Sequence, residues 1–328
     1  MKAVLIPKTG TADVLDYVDV DTPIAGPGHL LVKIAAIGTG FGDIMQRMGL
    51  YPHMPPLPFI TGHEATGVVT SVGDGVDDGW IGQRVVILSP GGCYAEYAIC
   101  PESFAARLPS SVSDTVGAAL AVNYLTAHYL LHRTATLTAG DTIVVYAAAG
   151  GVGSALVQMA KLMDLRIIGL AGSETKCQFV KEQGADEALN SSDGSLAERL
   201  RAAVRPDNAA ATFNSVCGET LGEDLKILGR SGQLVLYGMA GGPPPPDFLF
   251  KFLEHFGDSL SLRMMGLESF VSSDPGDIAR TLAQLVQMTA AGQLTPHIHA
   301  ELPLSDAAAA HRLIESRKVM GKVVLTVA

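Results

Sequence analysis

Between residues 126 and 238 the chain repeats one rhythm of apolar strand, turn and helical segment. The runs TIVVYA (142–147), SALVQMAKLMD (154–164), RIIGLAG (166–172) and TKCQFVKEQG (175–184) carry it, and GQLVLYG (232–238) closes it. The strand runs are short and continuously apolar, whereas the segments between them space their apolar residues as a helix does. Strands separated by helices of this length cannot pair as hairpins and must cross over in parallel, so the rhythm predicts an α/β fold with a doubly wound parallel sheet. No other feature restricts the fold as much.

The first third differs. LLVKIAAIG (30–38), ATGVVTSVG (65–73), GQRVVIL (82–88) and YAEYAIC (94–100) are short strand runs punctuated by glycine and proline, and they predict an all-β module with little helix. After the prolines at 243–246 the pattern is mixed, and the chain ends in a helix around AAAAHRLIESRK (307–318) and a strand, KVVLTV (322–327). Those last elements are too few for a third core, which predicts that they return to complete the β module. The expected domains are therefore 1–123 with 267–328, β-rich, and 124–266, α/β.

A chain of 328 residues is long enough for two cores of ordinary size. Its net charge of -10 repels phosphate backbones and anionic lipid, which argues against nucleic acid or membrane as a partner. No apolar run approaches the roughly 20 residues of a membrane span, and MKAVLIPKTG lacks the apolar core of a signal peptide, so a cytoplasmic protein is expected. Cys93, Cys100, Cys177 and Cys217 form no C-x-x-C pair and no dense cluster, which predicts reduced, mostly buried thiols.

The first strand of the rhythm runs into Ala147-Ala148-Ala149-Gly150-Gly151-Val152-Gly153. A dinucleotide loop of the form G-x-G-x-x-G needs glycine at 148, 150 and 153, and alanine stands at 148. The context is nonetheless the one the chemistry requires. A strand precedes the loop and a helix starts near Gly153; Gly150 and Gly151 allow close approach to a pyrophosphate, and Gly153 allows close helix–strand packing. An NAD site then places a carboxylate at the end of the second strand, to bond the ribose 2′-hydroxyl. Here that strand ends in Gly169-Leu170-Ala171-Gly172-Ser173, with Lys176 a turn further on. Small residues leave room for a 2′-phosphate, Ser173 can donate to it and Lys176 supplies charge, which favours NADPH over NADH. Glu174 reads as a first-turn residue favoured by the helix dipole.

These features resemble the medium-chain dehydrogenase/reductase superfamily, and within it the zinc-independent quinone oxidoreductase branch, the zeta-crystallin-like proteins. The resemblance spans essentially the whole chain. It rests on the 147–153 loop, on Gly62-His63-Glu64-Ala65-Thr66-Gly67-Val68-Val69, on Leu125-Thr126-Ala127, and on His311-Arg312-Leu313-Ile314-Glu315-Ser316-Arg317 with Gly321-Lys322-Val323-Val324-Leu325. The alanine-led loop is the form that branch carries. The resemblance implies a split GroES-like catalytic domain, a central Rossmann domain, a cleft between them that holds NADPH, and a homodimer. With the residue reading above, it gives Thr126, Ala149, Gly150, Gly151, Val152, Gly153, Ser173, Lys176, Tyr237 and Gly238 as cofactor contacts, the last two closing the strand expected beside the nicotinamide.

The alcohol dehydrogenases of the superfamily hold catalytic zinc through a cysteine before a T/S-D pair, the histidine of G-H-E, and a second cysteine ahead of the Rossmann domain. In this sequence those positions fall on Gly40, His63 and about Val122. One ligand cannot hold zinc, so no metal is expected, and His63 and Glu64 read as structural residues at the domain interface. The chain also departs from the quinone reductase pattern, with Gly40 where asparagine is common and Ser191 after Asn190 where a tyrosine lies near the adenosine phosphate.

Tyr51 lies in Met45-Gln46-Arg47-Met48-Gly49-Leu50-Tyr51-Pro52. It resembles a tyrosine that lines the substrate cleft in quinone reductases and that is the proposed proton donor in medium-chain 2-enoyl thioester reductases. A phenol beside a nicotinamide suits protonation of a carbanion or enolate, and a packing tyrosine under a proline-rich loop is the alternative. Asp43 reads as a structural carboxylate bonding nearby backbone, and Arg47 as a surface or salt-bridged residue. Without zinc, activation of a small-molecule substrate must come from conjugation. The expected reaction is NADPH-dependent hydride transfer to a quinone. Enone or enoyl reduction at an activated C=C bond is the alternative, and a non-catalytic NADPH-binding protein is the alternative of another class.

Overall fold

The computed structural model describes residues 1–194 and 196–327, and at 272, 273 and 275 the backbone alone. The chain forms two compact units, Met1–Leu125 with Phe270–Ala328, and Thr126–Ser269.

In the Thr126–Ser269 unit one sheet runs Glu187–Asn190, Arg166–Ala171, Thr142–Val145, Ala209–Asn214, Leu228–Leu236, Ser261–Met264, every neighbouring pair parallel. In chain order this is 3-2-1-4-5-6, the Rossmann arrangement, whose winding reverses beside the first strand. Thr142–Val145 is buried along its whole length, as a strand covered on both faces must be, and its sequence is accordingly a continuous apolar run. Val144, Ile168, Leu170 and Leu234 share a core with Leu221, Leu225 and Phe248. Tyr237 and Gly238, expected as the end of a strand, follow it. The proline run 243–246 leads into the helix Phe248–Glu254.

The other unit is GroES-like and β-rich. Its larger sheet runs Ile298–Pro303, Lys322–Thr326, His29–Thr39, Glu64–Val72, Arg84–Leu88, Ala105–Arg107, with Tyr97–Pro101 also paired to His29–Thr39. A smaller sheet joins Asp16–Asp19, Lys2–Ile6 and Phe59–Ile60. The C-terminal segment enters the same core as the N-terminal one. Ala307, Ala310, Val323 and Leu325 pack with Val4, Leu30, Val32, Ile37 and Tyr94. Burying a Val or Leu side chain is worth about 1.5 to 3 kcal/mol, and that gain is what brings the last residues back to the first domain.

Helices interrupt the expected all-β module, among them Asp114–Gly117 and Pro275–Ala290, and the one that carries the polar groups of the candidate site is Phe41–Met48. Asp43, Gln46 and Arg47 are buried with Ile44, whereas Phe41 and Met48 are exposed. Such an inside-out helix shows no inward apolar stripe for a sequence pattern to register. It ends at Gly49, φ 75, where the Gly49 and Leu50 amides bond back to the Gln46 and Met45 carbonyls. The chain then returns over the helix, so that a Cβ on Gly42 would stand 3.7 Å from Tyr51 Cε2. No helix among the described residues is long and apolar enough to cross a membrane.

Candidate active site

The strand Thr142–Val145 delivers the chain into a turn where Ala147 takes φ 48, a left-handed conformation that costs an alanine roughly 1 kcal/mol. The helix Gly151–Lys161 follows, two residues earlier than expected, and its first bond runs from Ser154 N to Gly150 O at 2.8 Å. The amides of Gly151, Val152 and Gly153, ahead of that bond, have no intrahelical acceptor and are able to donate to an anion such as a pyrophosphate. Only glycine fits at 153, because a Cβ would stand 2.3 Å from Ala147 O and 2.7 Å from Ala148 Cα. Ala148 and Ala149 are buried. The glycine missing at 148 has a counterpart on the neighbouring strand: a Cβ on Gly169 would stand 3.1 Å from that of Ala148 and 2.4 Å from Val180 Cγ1. The alanine methyl fills the room that Gly169 leaves.

At the end of the second strand Ser173 caps the helix Glu174–Glu182. Its Oγ accepts from the Lys176 amide at 3.3 Å, which leaves the hydroxyl hydrogen free to donate. Glu174 opens this helix, and its Oε1 accepts from Asn190 Nδ2 at 3.1 Å, tying the carboxylate to the third strand. Burial draws the Lys176 ammonium below its usual value. Arg199, which no fixed spacing in the sequence singled out, reaches the same place: Nη2 donates to the Asn190 carbonyl at 2.9 Å and pairs with Asp193 at 3.4 Å. Ser191 donates its amide to the Ala171 carbonyl at 2.7 Å.

Thr126 is buried in the helix Ala121–Tyr129. Tyr237 bonds Ser215, and burial pushes its phenol up to about 12. A Cβ on Gly238 would stand 2.8 Å from Ser215 O, so the ends of two strands meet through their backbones. A polar cluster lies at the root of the glycine loop. Asn214 Oδ1 accepts from the Val216 and Cys217 amides at 2.8 Å each, while Nδ2 donates to Asp224 Oδ2 at 2.7 Å and Thr220 Oγ1 at 2.9 Å. Burial pushes the Asp224 carboxyl up to about 7, against bonds from Asn214, Tyr146 and Thr212 that act to lower it.

In the other unit the buried face of the helix Phe41–Met48 anchors a chain of side chains. Asp43 Oδ1 accepts from His63 Nδ1 at 2.9 Å, and Oδ2 accepts from the Gly40 amide at 2.8 Å and the Tyr94 hydroxyl at 3.3 Å. Burial acts to raise the Asp43 carboxyl, but the bonds it accepts, from His63 first and from the Gly40 amide, hold the group below its usual value. Tyr94 meets His311 Nε2 at 3.0 Å, and His311 Nδ1 faces Arg47 Nη1 at 3.3 Å. A guanidinium can only donate, so Nδ1 accepts, Nε2 carries the proton, and Tyr94 passes its own hydrogen to Asp43. Burial pushes His311 down to about 4, which keeps it neutral.

Arg47 is buried rather than on the surface, and it is salt-bridged: it pairs with Glu315 and donates from Nε to the Gly10 carbonyl at 3.1 Å. At the other end of the chain, Gln46 Oε1 accepts from Thr61 at 2.7 Å and Nε2 donates to His63 Nε2 at 3.2 Å. Tyr51 stacks on His63, ring centroids 6.0 Å apart and planes 29° apart. Glu64 pairs with the buried ammonium of Lys322, and its second oxygen accepts from the Val122 amide at 2.8 Å.

Known proteins are similar to this chain over most of its length. Residues 151–287 match the zinc-binding dehydrogenase family and residues 26–110 the alcohol dehydrogenase GroES-like domain. A probable quinone oxidoreductase of Schizosaccharomyces pombe is 33% identical over 98% of this chain and 96% of its own length. The chain belongs to the medium-chain dehydrogenase/reductase superfamily, in its quinone oxidoreductase branch. The quinone oxidoreductase of Escherichia coli complexed with NADPH matches with a TM-score of 0.93 at 30% identity, covering 99% of this chain and 100% of that one. A mycobacterial protein complexed with NADPH matches with 0.92 at 35% identity, over 99% and 100%.

Although part of the family binds zinc, the residues here do not fit it. Gly40 has no side chain, Val122 has no donor atom beyond its backbone, and His63 spends one nitrogen on Asp43 and the other on Gln46. A Cβ on Gly40 would stand 3.8 Å from Asp43 Oδ2 and 3.9 Å from Lys322 Nζ, so the place already holds a carboxylate and an ammonium. Among the described residues no group of three or more His, Cys, Asp or Glu could hold a metal ion.

Proposed function

We propose that this chain is an NADPH-dependent oxidoreductase that transfers hydride to a quinone. Its likeness to quinone oxidoreductases and to NADPH-bound structures over nearly its full length supports the activity. The observation that carries the choice of cofactor is the end of the second strand, where Ser173, Lys176 and Arg199 gather and Glu174 is tied to Asn190. In this assignment the amides of Gly151, Val152 and Gly153 hold the pyrophosphate, with Ala149 and Gly150 at close approach. Ser173 and Lys176 hold the 2′-phosphate, and Thr126, Tyr237 and Gly238 lie toward the nicotinamide. Bound NADPH supplies the hydride. A reduced quinone is a hydroquinone anion that water can protonate, so the chain need supply only donors to the developing oxyanion.

Turnover of simple quinones with each cofactor tests this assignment. NADPH is expected to drive turnover and NADH to do so poorly, with chelator leaving the rate intact. Tight NADPH binding without turnover of any quinone or activated alkene would make the chain a cofactor-binding protein instead. Reduction of an activated C=C bond is the second activity favoured, and the observation behind it is Tyr51 stacked on an oriented histidine.

The assembly we propose is a homodimer joined at the strand Ser261–Met264. This strand closes one edge of the six-stranded sheet, and Met264 on it is 76% exposed. The helix Phe248–Glu254 leaves Phe250 73% exposed, and Phe256 in the turn after it is 85% exposed. An apolar, unpaired edge is a template for a second copy, which satisfies its backbone across a twofold axis. Sedimentation is expected to give a dimer for the wild type and a monomer for Met264→Glu.

A further inference from the structure

We propose that Asn190 is a cofactor-selecting residue: its side-chain amide draws the Glu174 carboxylate to the end of the third strand, Glu187–Asn190, and keeps it off a 2′-phosphate at the end of the second. The proposal rests on the assignment of Ser173 and Lys176 to that phosphate. Two strand ends meet here. Asn190 stands beside Ala171 in the parallel register, the Ser191 amide donates to the Ala171 carbonyl at 2.7 Å, and Ser192 Oγ donates to the Gly172 carbonyl at 3.1 Å. Ser173 follows at once and caps the helix that Glu174 opens. A carboxylate therefore stands one residue beyond the hydroxyl assigned to the phosphate, in a first turn where the helix dipole favours either anion. An NAD site uses a carboxylate at this strand end to accept from the ribose 2′-hydroxyl, and the same charge repels a phosphate. Glu174 is thus the group in this corner that would favour the other cofactor.

The Asn190 amide is held in one orientation. Oδ1 accepts from the Ser192 amide at 3.0 Å while Nδ2 donates to Glu174 Oε1 at 3.1 Å. Exchanging the two ends would set oxygen against a carboxylate and N–H against N–H, and both bonds would be lost. The backbone is fixed as well, because the Asn190 carbonyl accepts from Arg199 Nη2 at 2.9 Å and that guanidinium pairs with Asp193 at 3.4 Å. Of these bonds, the one to Glu174 is the one that crosses to the helix capped by Ser173. Glu174 is exposed, so the bond biases its carboxylate between two positions by roughly tenfold at most. That sets the size of the effect. An amide also holds the carboxylate without bringing a positive charge of its own, so what it does to a nearby phosphate must act through Glu174.

Calorimetric titration of NADPH and of NADH into the wild type, both single variants and the double variant of one cycle tests the tether. Asn190→Ser keeps an oxygen for the Ser192 amide and removes the donor to Glu174. NADPH affinity is expected to fall roughly fivefold, and NADH affinity to hold or rise, since a released carboxylate can accept from a 2′-hydroxyl. In a Glu174→Gln background the same substitution is expected to change neither affinity. Glu174→Gln alone is expected to leave NADPH binding nearly as it was, because the carboxylate is already held aside. Added salt should shrink the NADPH loss of Asn190→Ser. An NADPH loss that persists in full on Glu174→Gln, or no change in either cofactor, overturns the proposal. So does a Glu174→Gln protein that binds NADPH several times more tightly, for then the carboxylate opposes the phosphate with its tether intact. A lowered melting temperature of the cofactor-free variant, with both cofactors weakened alike, makes Asn190 merely structural and overturns it too. Should the wild type itself bind NADH as tightly as NADPH, the assignment of the 2′-phosphate fails, and selection by Asn190 fails with it; that result is read before any variant is made.

Discussion

The two units assemble their candidate sites by opposite means. In the Thr126–Ser269 unit the groups are backbone amides and small residues within seven consecutive positions, Ala147 to Gly153, placed by one strand and one helix. In the other unit they are side chains drawn from distant segments: Arg47 reaches Glu315 across 268 positions and Tyr94 reaches His311 across 217. The first kind of site is set by where a Cβ cannot be. The second is set by which hydrogen bonds can be completed. Side-chain substitutions should therefore act in different ways, on binding in one unit and on the direction of a reacting group in the other.

The largest expected effect falls on the side-chain site. Tyr51→Phe keeps the ring on His63 and removes only the hydroxyl, so packing loss is small. In reduction of an enone or enoyl substrate the α-carbon needs a proton, and a positioned general acid contributes about 100-fold to 10,000-fold. Turnover of such substrates is expected to fall by that order, with a much smaller change for simple quinones. Equal rates for mutant and wild type on both classes would leave Tyr51 as a packing residue and remove the contrast between the units.

How much of this could be read beforehand follows the same division. The parallel sheet, its glycine loop and the bare end of its second strand are local in sequence, and the rhythm of apolar runs is enough to find them. The spacing did not explain Ala148, because its compensation sits on another strand at Gly169. The helix Phe41–Met48 was invisible, since the residues it buries are Asp43, Gln46 and Arg47, which pattern reading assigns to a surface. Asp43 was expected to bond nearby backbone and does so at Gly40, but its bond to His63 depends on a strand that begins 21 residues later. Arg199 and Asp224 carry no motif at all and acquire meaning only from the strand ends beside them.

The second effect, of roughly 2 to 4 kcal/mol, concerns the root of the glycine loop. Asp224 is fully buried, and protonation, which makes its carboxyl a donor, removes a charge that the bonds from Asn214, Tyr146 and Thr212 do not offset. That agrees with a carboxyl pushed up to about 7 by burial. An unfolded aspartate titrates near 4, so between pH 4 and pH 7 the unfolded chain has lost a proton that the folded chain keeps, and stability falls as pH rises through that window. Above about pH 7 both states are ionised and the dependence ends. Asp224→Asn supplies the donor without the charge. Its melting temperature is expected to match the wild type near pH 4 and to exceed it increasingly up to pH 7; a constant difference across that range would mean that Asp224 is ionised when folded.

The smallest effect tests whether the backbone-built site takes any of its selectivity from side chains. The pyrophosphate cradle is common to both nicotinamide cofactors, so substitutions at the second strand end should separate them. Lys176 sits in the first turn of the helix capped by Ser173, and burial already draws its ammonium down, which is the environment in which a phosphate would be most strongly felt. A hydrogen bond between charged groups is worth about 1.5 to 3 kcal/mol, so Lys176→Ala is expected to weaken NADPH roughly tenfold or more and to leave NADH nearly as it was. The difference should shrink as salt is added, because part of the attraction is screened. Titration of both cofactors against the wild type and the variant measures it. If NADH binds the wild type as tightly as NADPH, or if the variant weakens both cofactors equally, the bare strand end does not select the 2′-phosphate. The cradle amides would then account for cofactor binding in this unit without help from Lys176.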